Sequence, residues 1–461
     1  MTKQETVIQY ITDNYLNFNT LRHDVVSDKL QIRMEKPTPT PSLKGGEYGA
    51  EQKSFPLGED LGVATVWREM TKHDINSIVC HCAQEYNANI TSREVMTALQ
   101  SDLIPDVHPL REYILSLHPY TSDQPDWIDL VASQVRIADS ASDSEKGSNG
   151  SKSSKGESAV ETYRTYRTPS TKADALWRIC FKKWFVAMVA SWMKDEVVNH
   201  QVLVLIGKQG IFKTTWLEHL IPPHLRAYAC KLANSNDLNK DERLRIAEFG
   251  LISLDEIDSM NNRELNQLKS VITATDINER AAYAYTKERR MRLASFCASG
   301  NRRDFLTDIT GNRRWLPFEV ESIQNPFYTT LPYDLIYAQA WTLAQDPTFS
   351  YWFELDEIDL LEQHNQHFRD ESNEEQLLDV YFAVPSKGAS NTKFLTTAEI
   401  SERLIYYGNI KRPLSLSRLG VLLSQKGFLS IRKGSPQRRG WVVYERDNEE
   451  INAERRILSK T

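Results

Sequence analysis

The sequence predicts an α/β protein: a core on a parallel sheet, a mainly α N-terminal domain before it and a winged helix after it. Three observations carry this. An apolar run, VLVLI at 202–206, passes straight into a glycine-rich loop, GKQGIFKTTW at 207–216. Two further apolar runs, GLISLDEID at 250–258 and RLASFCASGN at 292–301, also end on polar side chains, and strands and helices alternate over 173–350 as a parallel sheet requires. From Phe394 onward the chain turns basic and reads as helices followed by a hairpin.

The 461 residues leave room for about three domains. The net charge of -6 gives no global signal for nucleic acid, so charge has to be read locally. Five scattered cysteines argue against a disulfide framework and for a reducing, cytoplasmic setting. Cys80-His81-Cys82 has no second ligand pair at a useful spacing and reads as incidental rather than metal-binding. The N-terminus lacks the basic segment and apolar core of a signal peptide. No run approaches the ~18 apolar residues of a membrane span, so no membrane partner is expected.

Residues 1–125 form an accessory domain. A short helix precedes YLNFNTLRHDVV and SDKLQIRM, which can pair as a hairpin; EKPTPTPSLKGGEYGAEQKSF then reads as an exposed loop. Helical spacing follows, with Ser92 placed to cap a helix carrying Val95, Met96 and Leu99 on one face. Residues 126–172 read as a partly disordered linker, because 138–158 is the least complex stretch of the chain. The core spans 173–350 and opens on an apolar helix, WRICFKKWFVAMVASWMKDE. An acidic, solvated helical connector covers 351–390, and 391–461 form the winged helix.

The loop at 207–216 resembles a phosphate-binding loop, but G-x-x-x-x-G-K-[ST] has glycine before the lysine and here Phe212 stands there. Gly207 and Gly210 can supply the turns. Gly207, Gly210, Ile211, Phe212, Lys213, Thr214 and Thr215 would form the cradle, with Lys213 reaching the β- and γ-phosphates and Thr214 ligating magnesium. Phe212 is expected at negative φ, already helical; a positive φ would mark a strained residue and reopen the question of activity. Asp255, ending the second strand, would hold the magnesium, and Glu256 would orient or deprotonate the attacking water. Asn301, ending the third, would bridge that water and the γ-phosphate. Alone, the loop has a second, weaker reading as a glycine turn at the end of a strand; three strands in series, each ending on a suitable group, point to a site for ATP and Mg2+.

Between the second and third strands, ERAAYAYTKERRMRLASF alternates aromatic and basic residues around a polar tip, as a hairpin does. Tyr283 and Tyr285 carry the alternation, and Lys287, Arg289 and Arg290 lie near the tip. The two readings are a DNA-contacting hairpin and a solvated basic turn. Past Asn301, Arg313 and Arg314 follow a predicted turn in GNRRW. Either could act on a neighbouring subunit's nucleotide as an arginine finger, or pair with Asp304 or Asp308.

GKQGIFKTTW, LISLDEIDSM and SGNRRDFLTDITGNRRWLPFEV together resemble the virulence-associated protein E family, P-loop ATPases of phages and genomic islands related to superfamily 3 helicases. The resemblance covers roughly residues 105–380, including HPLREYILSLHP and WRICFKKWFVAMVASW. It implies an AAA+-like core, a ring that is usually hexameric, and translocation on single-stranded DNA with a hairpin around Lys287 in the channel. Relatives often act with an archaeo-eukaryotic type primase. Residues 1–125 lack its D-x-D signature, so a primase would be a separate partner.

FLTTAEISERLIYYGN, SLSRLGVLLSQKGFLSIRKG and RRGWVVY suggest helices and a β-wing, with Thr397 or Thr396 as a cap; a similar domain follows the ATPase in Bacteroides-type members of the family. Arg418, Lys426, Arg432, Lys433, Arg438 and Arg439 would form a DNA face, against the alternative of a protein-interaction module. The leading expectation is an ATP-dependent helicase or translocase, acting on single-stranded or forked DNA in replication of a mobile element. The alternatives are an ATP-switched DNA-binding or replisome-loading factor and a phage-defence ATPase.

Overall fold

The computed structural model describes residues 2–34, 66–138, 171–232, 246–279, 288–306, 312–369, 373–386, 392–408, 415–433 and 437–458. In the N-terminal part, β1 (Leu21–Asp24), β2 (Lys29–Met34), β3 (Val66–Glu69) and β4 (Asp106–Val107) form a sheet in the order β3-β2-β1-β4. β1 and β2 are the expected hairpin, with Leu21 opposite Ile32 and Asp24 opposite Lys29. Helices Lys3–Ile11, Lys72–Tyr86 and Ser92–Leu99 bury Val7, Ile11, Ile78, Val95 and Leu99 against Leu21 and Ile32. Each helix opens on a threonine capping box, Thr2 with Glu5, Thr71 with Asp74 and Thr91 with Glu94. Thr91, not Ser92, is the cap, because Thr91 keeps the extended backbone and accepts the Glu94 N–H. The unit is therefore mixed α/β rather than mainly α. Its strands β3 and β4 are too short to show a period of two.

Among the described residues eight strands follow: β5 (Val135–Ile137), β6 (Val202–Ile206), β7 (Ala229–Leu232), β8 (Leu251–Leu254), β9 (Asp276–Glu279), β10 (Glu288–Met291), β11 (Ser295–Gly300) and β12 (Trp315–Ile323). Six of them form the central sheet in the order β5-β12-β6-β11-β8-β7. The five from β12 to β7 are parallel, and β5 closes one edge antiparallel to β12. β6 is buried along its whole length because both faces of the sheet are covered, which is why it reads as an unbroken apolar run. Leu203, Leu205 and Phe318 face the helices Lys172–Met193 and Tyr333–Gln345. Val204, Phe296 and Ile252 face the helix Asn262–Thr273. In the long helix, Trp177, Trp184 and Trp192 are buried, and each indole N–H donates to a backbone carbonyl, of Ala132, Phe296 and Gly250. This satisfies the polar end of each ring in an otherwise apolar core.

Two expected boundaries change. The first residues of the supposed linker, the helix Trp127–Ala132 and strand β5, are core: Ile128, Val131 and Val135 are buried with Trp177. The low-complexity stretch that suggested a linker begins only after them, and 139–170 lie outside the described residues. The acidic connector is docked rather than solvated. Its first helix, Leu355–Asn365, buries Leu361 in the central core and pairs Glu357 with Lys183 at 2.6 Å. Its second, Asn373–Tyr381, buries Leu378 in the C-terminal core.

The C-terminal unit packs helices Thr397–Gly408, Leu416–Gln425 and Asn448–Leu458 with β13 (Phe382–Ala383), β14 (Thr392–Leu395), β15 (Leu429–Lys433) and β16 (Arg438–Glu445). β16 is the central strand, paired antiparallel to the other three. Ile400, Leu404, Leu419, Leu422, Leu423, Trp441 and Val443 make its core. Thr396 caps the first helix by accepting the Glu399 N–H at 3.2 Å.

Candidate functional site

The C-terminal ends of β6, β11 and β8, three adjacent parallel strands, open on one cleft of about 330 Å³. Gly210, Phe212, Lys213, Thr214, Thr215, Asp255, Glu256, Ser299 and Asn301 line it. Gly207 and Ile211, expected in the cradle, do not line it. A Cβ on Gly207 would come within 2.7 Å of the Val320 carbonyl oxygen, so the first loop position admits no side chain. Gly210 sits at φ +86, which glycine adopts without strain.

Phe212 contradicts the expectation. Its φ is +68 and its ψ 19, the left-handed region. The helix begins one residue later, at Lys213, so Phe212 still belongs to the loop that turns back toward the cleft. It holds the conformation that the missing glycine would hold, at a cost of about 1–2 kcal/mol for a residue with a Cβ. Glu256 is left-handed as well, at φ 51. Among the described residues, the other non-glycine residues at positive φ are Asn19, Asp28 and Asn87, types that tolerate it. The two that do not tolerate it well both line the cleft, and strain of this kind collects at functional sites.

Lys213 is 7% exposed and curls under the loop. Its ammonium donates to the carbonyls of Gly207 and Lys208, each at 2.7 Å, and to Asn301 Oδ1 at 3.2 Å. Burial lowers its pKa against the opposing pull of Asp258 and Asp255. Thr214 Oγ1 donates to Asp255 Oδ1 at 3.2 Å, and Ser299 Oγ donates to the same oxygen at 2.7 Å. Asp255 Oδ2 pairs with Lys231 Nζ at 2.8 Å. Burial raises the Asp255 carboxyl, but the hydrogen bonds from Lys231, Ser299 and Thr214 outweigh it and hold the group below its ordinary value. Asp258 accepts the backbone N–H groups of Asn301 and Arg302 at 3.1 and 3.2 Å, fixing the tip of β11. Ser299, Lys231 and Asp258 escaped the sequence reading. Asp258 stood in the acidic run GLISLDEID, just past the end of β8, and Ser299 preceded Asn301 by two; Lys231 is the third residue of a four-residue strand with no pattern of its own.

Arg313 and Arg314 are not in this cleft. They form a short turn, Asn312–Arg314, immediately before β12, whose Trp315 lies opposite Val202 at the start of β6. They therefore sit at the opposite edge of the sheet. There, burial and then the charges of Arg292, Arg314 and Arg313 lower the pKa of His200. Neither pairs with Asp304 or another described residue, and Asp308 lies outside the described residues. Asn365 of the docked connector donates to the carbonyls of Asn312 and Trp315 at 2.8 and 3.0 Å and so holds this turn in place.

The hairpin is present as β9 paired with β10, while its tip, including Tyr283, Tyr285 and Lys287, lies outside the described residues. Arg289 is exposed and pairs with Asp276 at 2.8 Å. Arg290 is not a tip residue: it reaches Asp28 of the N-terminal unit at 2.7 Å and Glu248 at 3.6 Å, bracing the hairpin base. In the C-terminal unit Lys426 is likewise engaged, with Asp379 at 2.6 Å and Glu375 at 3.5 Å. Arg418 is exposed at the start of its helix. Arg432 lies directly opposite Arg439, and Lys433 opposite Arg438, all four exposed. Like charges facing across a ladder are destabilising, so this end of the hairpin concentrates positive charge at a cost to the fold.

Fold and cleft define an α/β protein with a lysine, a threonine and two carboxylates gathered at the C-terminal edge of a parallel sheet, the usual place for ligands in such sheets. Residues 152–370 match the virulence-associated protein E-like domain, which supports the family resemblance read from the motifs. No curated protein matches the chain. Solved structures similar in outline include the A form apo structure of the NrS-1 C-terminal region 305–718, at 9% identity over 95% of this chain and 99% of that one, TM-score 0.43. A second A form apo structure of that region has 10% identity over 94% and 98%, TM-score 0.42. An apo structure of 305–718 has 10% identity over 96% and 100%, TM-score 0.39. Among the described residues no helix is long and apolar enough to cross a membrane.

Proposed function

We propose that this chain is an ATP-driven DNA helicase or translocase serving replication of a mobile genetic element. The observation that carries it is the convergence of Lys213, Thr214, Asp255, Glu256 and Asn301 in one cleft. The strand order supports an AAA+-like, superfamily 3 type of core, since β11 with Asn301 lies between the loop-bearing β6 and the acid-bearing β8. Lys213 neutralises phosphate charge, and Asn301, already bonded to Lys213, reports on the terminal phosphate. Glu256 holds the water that attacks it. The hydroxyl of Thr214 and a carboxylate oxygen of Asp255, 3.2 Å apart, are the hard oxygen donors that suit Mg2+. Bound there, the ion would neutralise charge developing on the phosphates.

Arg313 and Arg314, at the far edge of the sheet in a turn held by Asn365, act in this reading on the nucleotide of an adjacent copy in a hexameric ring. Arg289 on the hairpin and Lys287, which lies outside the described residues, together with Arg418, Arg432, Lys433, Arg438 and Arg439 on a winged-helix unit, bind the phosphates of single-stranded or forked DNA. The test is ATP turnover with and without single-stranded DNA, together with strand displacement. DNA-stimulated turnover and unwinding that both vanish in Lys213→Ala support the motor; absence of turnover with pure protein overturns it. The left-handed Phe212 favours a second reading, an ATP-switched DNA-binding or loading factor. Its signature is ATP-dependent DNA binding without unwinding.

A further inference from the structure

Beside the cleft the chain holds two large aromatic side chains out in solvent. Phe327 is 69% exposed and Tyr328 89% exposed, although both lie in an ordered turn. Asn325 organises that turn: its side-chain oxygen accepts the Phe327 N–H at 3.0 Å, and its carbonyl accepts the Tyr328 N–H at 3.1 Å and the Thr329 hydroxyl at 3.3 Å. The turn is also fixed to the end of the helix that follows the loop, where Tyr333 donates to the His219 carbonyl at 2.7 Å. Phe327 does not hang free. Its ring meets Phe212 edge-on at 6.4 Å and His219 edge-on at 5.6 Å. Phe212 lines the cleft, and His219, bonded through Nδ1 to the Thr215 carbonyl, stands one turn, about 6 Å, beyond the cleft-lining Thr215. An apolar aromatic surface rigidly presented next to a polar cleft calls for a flat, apolar ligand surface to cover it.

We propose that Phe327, backed edge-on by Phe212 and His219, is the stacking platform for the nucleobase of the bound nucleotide. This rests on the reading of the cleft as a nucleotide site and adds what that reading leaves open: where the base lies and what selects it. It also gives Phe212 a purpose. A glycine in its place would relieve the backbone but leave Phe327 without one of its two supports. Stacking depends on the area of the π-face, so the platform favours purine over pyrimidine nucleotides and makes no hydrogen-bond demand on the base.

The experiment compares ATP, CTP and inorganic tripolyphosphate in equilibrium binding to the full chain, wild type, Phe327→Ala and Phe327→Tyr. Wild type should bind ATP at least tenfold more tightly than tripolyphosphate, and more tightly than CTP. Phe327→Ala should lose about five- to a hundredfold in ATP affinity and nothing in tripolyphosphate affinity, and Phe327→Tyr should retain most of the ATP preference. A wild-type protein that binds neither ATP nor tripolyphosphate overturns the nucleotide reading itself. Tripolyphosphate binding with an ATP-to-tripolyphosphate ratio unchanged in Phe327→Ala overturns the platform alone. A loss of self-association in that variant with the ratio intact would likewise overturn it, assigning the aromatics to contact between copies.

Discussion

Lys231 Nζ lies 2.8 Å from Asp255 Oδ2, while Asp255 Oδ1 receives the hydroxyls of Thr214 and Ser299. One carboxylate is thus divided between a cation on its outer side and the cleft on its inner side. The pair is part-exposed, a setting in which ion pairs contribute ~0–1 kcal/mol. Lys231→Met should therefore tighten binding of a divalent cation by up to about fivefold, read by Mn2+ titration, whereas Asp255→Asn should abolish it. Equal Mn2+ affinity in Lys231→Met and wild type would show that Lys231 exerts no hold on the Asp255 charge.

Phe212 carries a testable strain. Phe212→Gly removes a left-handed penalty of about 1–2 kcal/mol and loses a part-exposed ring, so its urea midpoint should equal or exceed that of wild type. Phe212→Val should fall by about 1 kcal/mol or more, since a β-branched residue is a harsher misfit at positive φ. A Phe212→Gly protein much less stable than wild type would mean that the ring matters more than the backbone.

Arg292 is buried, and among the described residues no carboxylate pairs with it. Burial pulls its guanidinium down to about 9. It donates to the carbonyls of Ala294 at 3.0 Å, Asn199 at 2.7 Å and Ile272, tying the end of β10 to the end of the helix Asn262–Thr273. Arg292→Met would strand several buried carbonyls, each costing about 1–3 kcal/mol. A loss of roughly 3 kcal/mol or more in equilibrium denaturation is expected, and a loss below 1 kcal/mol would refute this role.

Acid should loosen the junction around His108. Its Nδ1 accepts the Arg111 N–H at 3.3 Å as the cap of the helix Pro109–Ser116. Burial, then the Arg111 charge, lower its pKa from 6.5 to about 4, against Asp24 and Asp195. Above pH 6.5 the ring is neutral folded or unfolded and has no effect. As pH falls toward 4 the unfolded chain takes up the proton and the folded one does not, so stability is lost across that window. His108→Asn keeps an acceptor and cannot titrate. Its melting temperature should fall less than that of wild type between pH 6.5 and 4; parallel curves would exclude His108.

The basic hairpin predicts a trade. Arg439→Glu places a carboxylate opposite Arg432 and should stabilise the C-terminal unit by about 0.2–1 kcal/mol. In the proposed function the same change should weaken DNA binding and flatten its dependence on salt. A variant both more stable and unimpaired on DNA would separate the hairpin from nucleic acid.

The strands of the cleft were legible because burial on both faces writes them as apolar runs: β8 and β11 are followed directly by Asp255 and Asn301, and β6 by the glycine loop. The hairpin bases and the long tryptophan helix were legible from spacing. What escaped depended on tertiary context. Nothing local separates a helical from a left-handed Phe212, because that choice is set by where the helix starts. Arg290 and Lys426 looked like free cations because their carboxylates, Asp28 and Asp379, are far away in sequence. β5 has three residues, and its partner β12 lies almost two hundred positions on, so no local pattern could recruit it to the sheet.

That edge strand bears on how the protein can be cut. A fragment starting at residue 152, where the domain match begins, would leave out β5 and the helix Trp127–Ala132. The outer side of β12 would then offer bare N–H and C=O groups to any passing strand, and Trp177 would lose the Ala132 carbonyl that takes its indole proton. The smallest portable piece of this core therefore begins upstream of the recognisable motif, near residue 109, where Leu110 and Ile114 join the same apolar cluster.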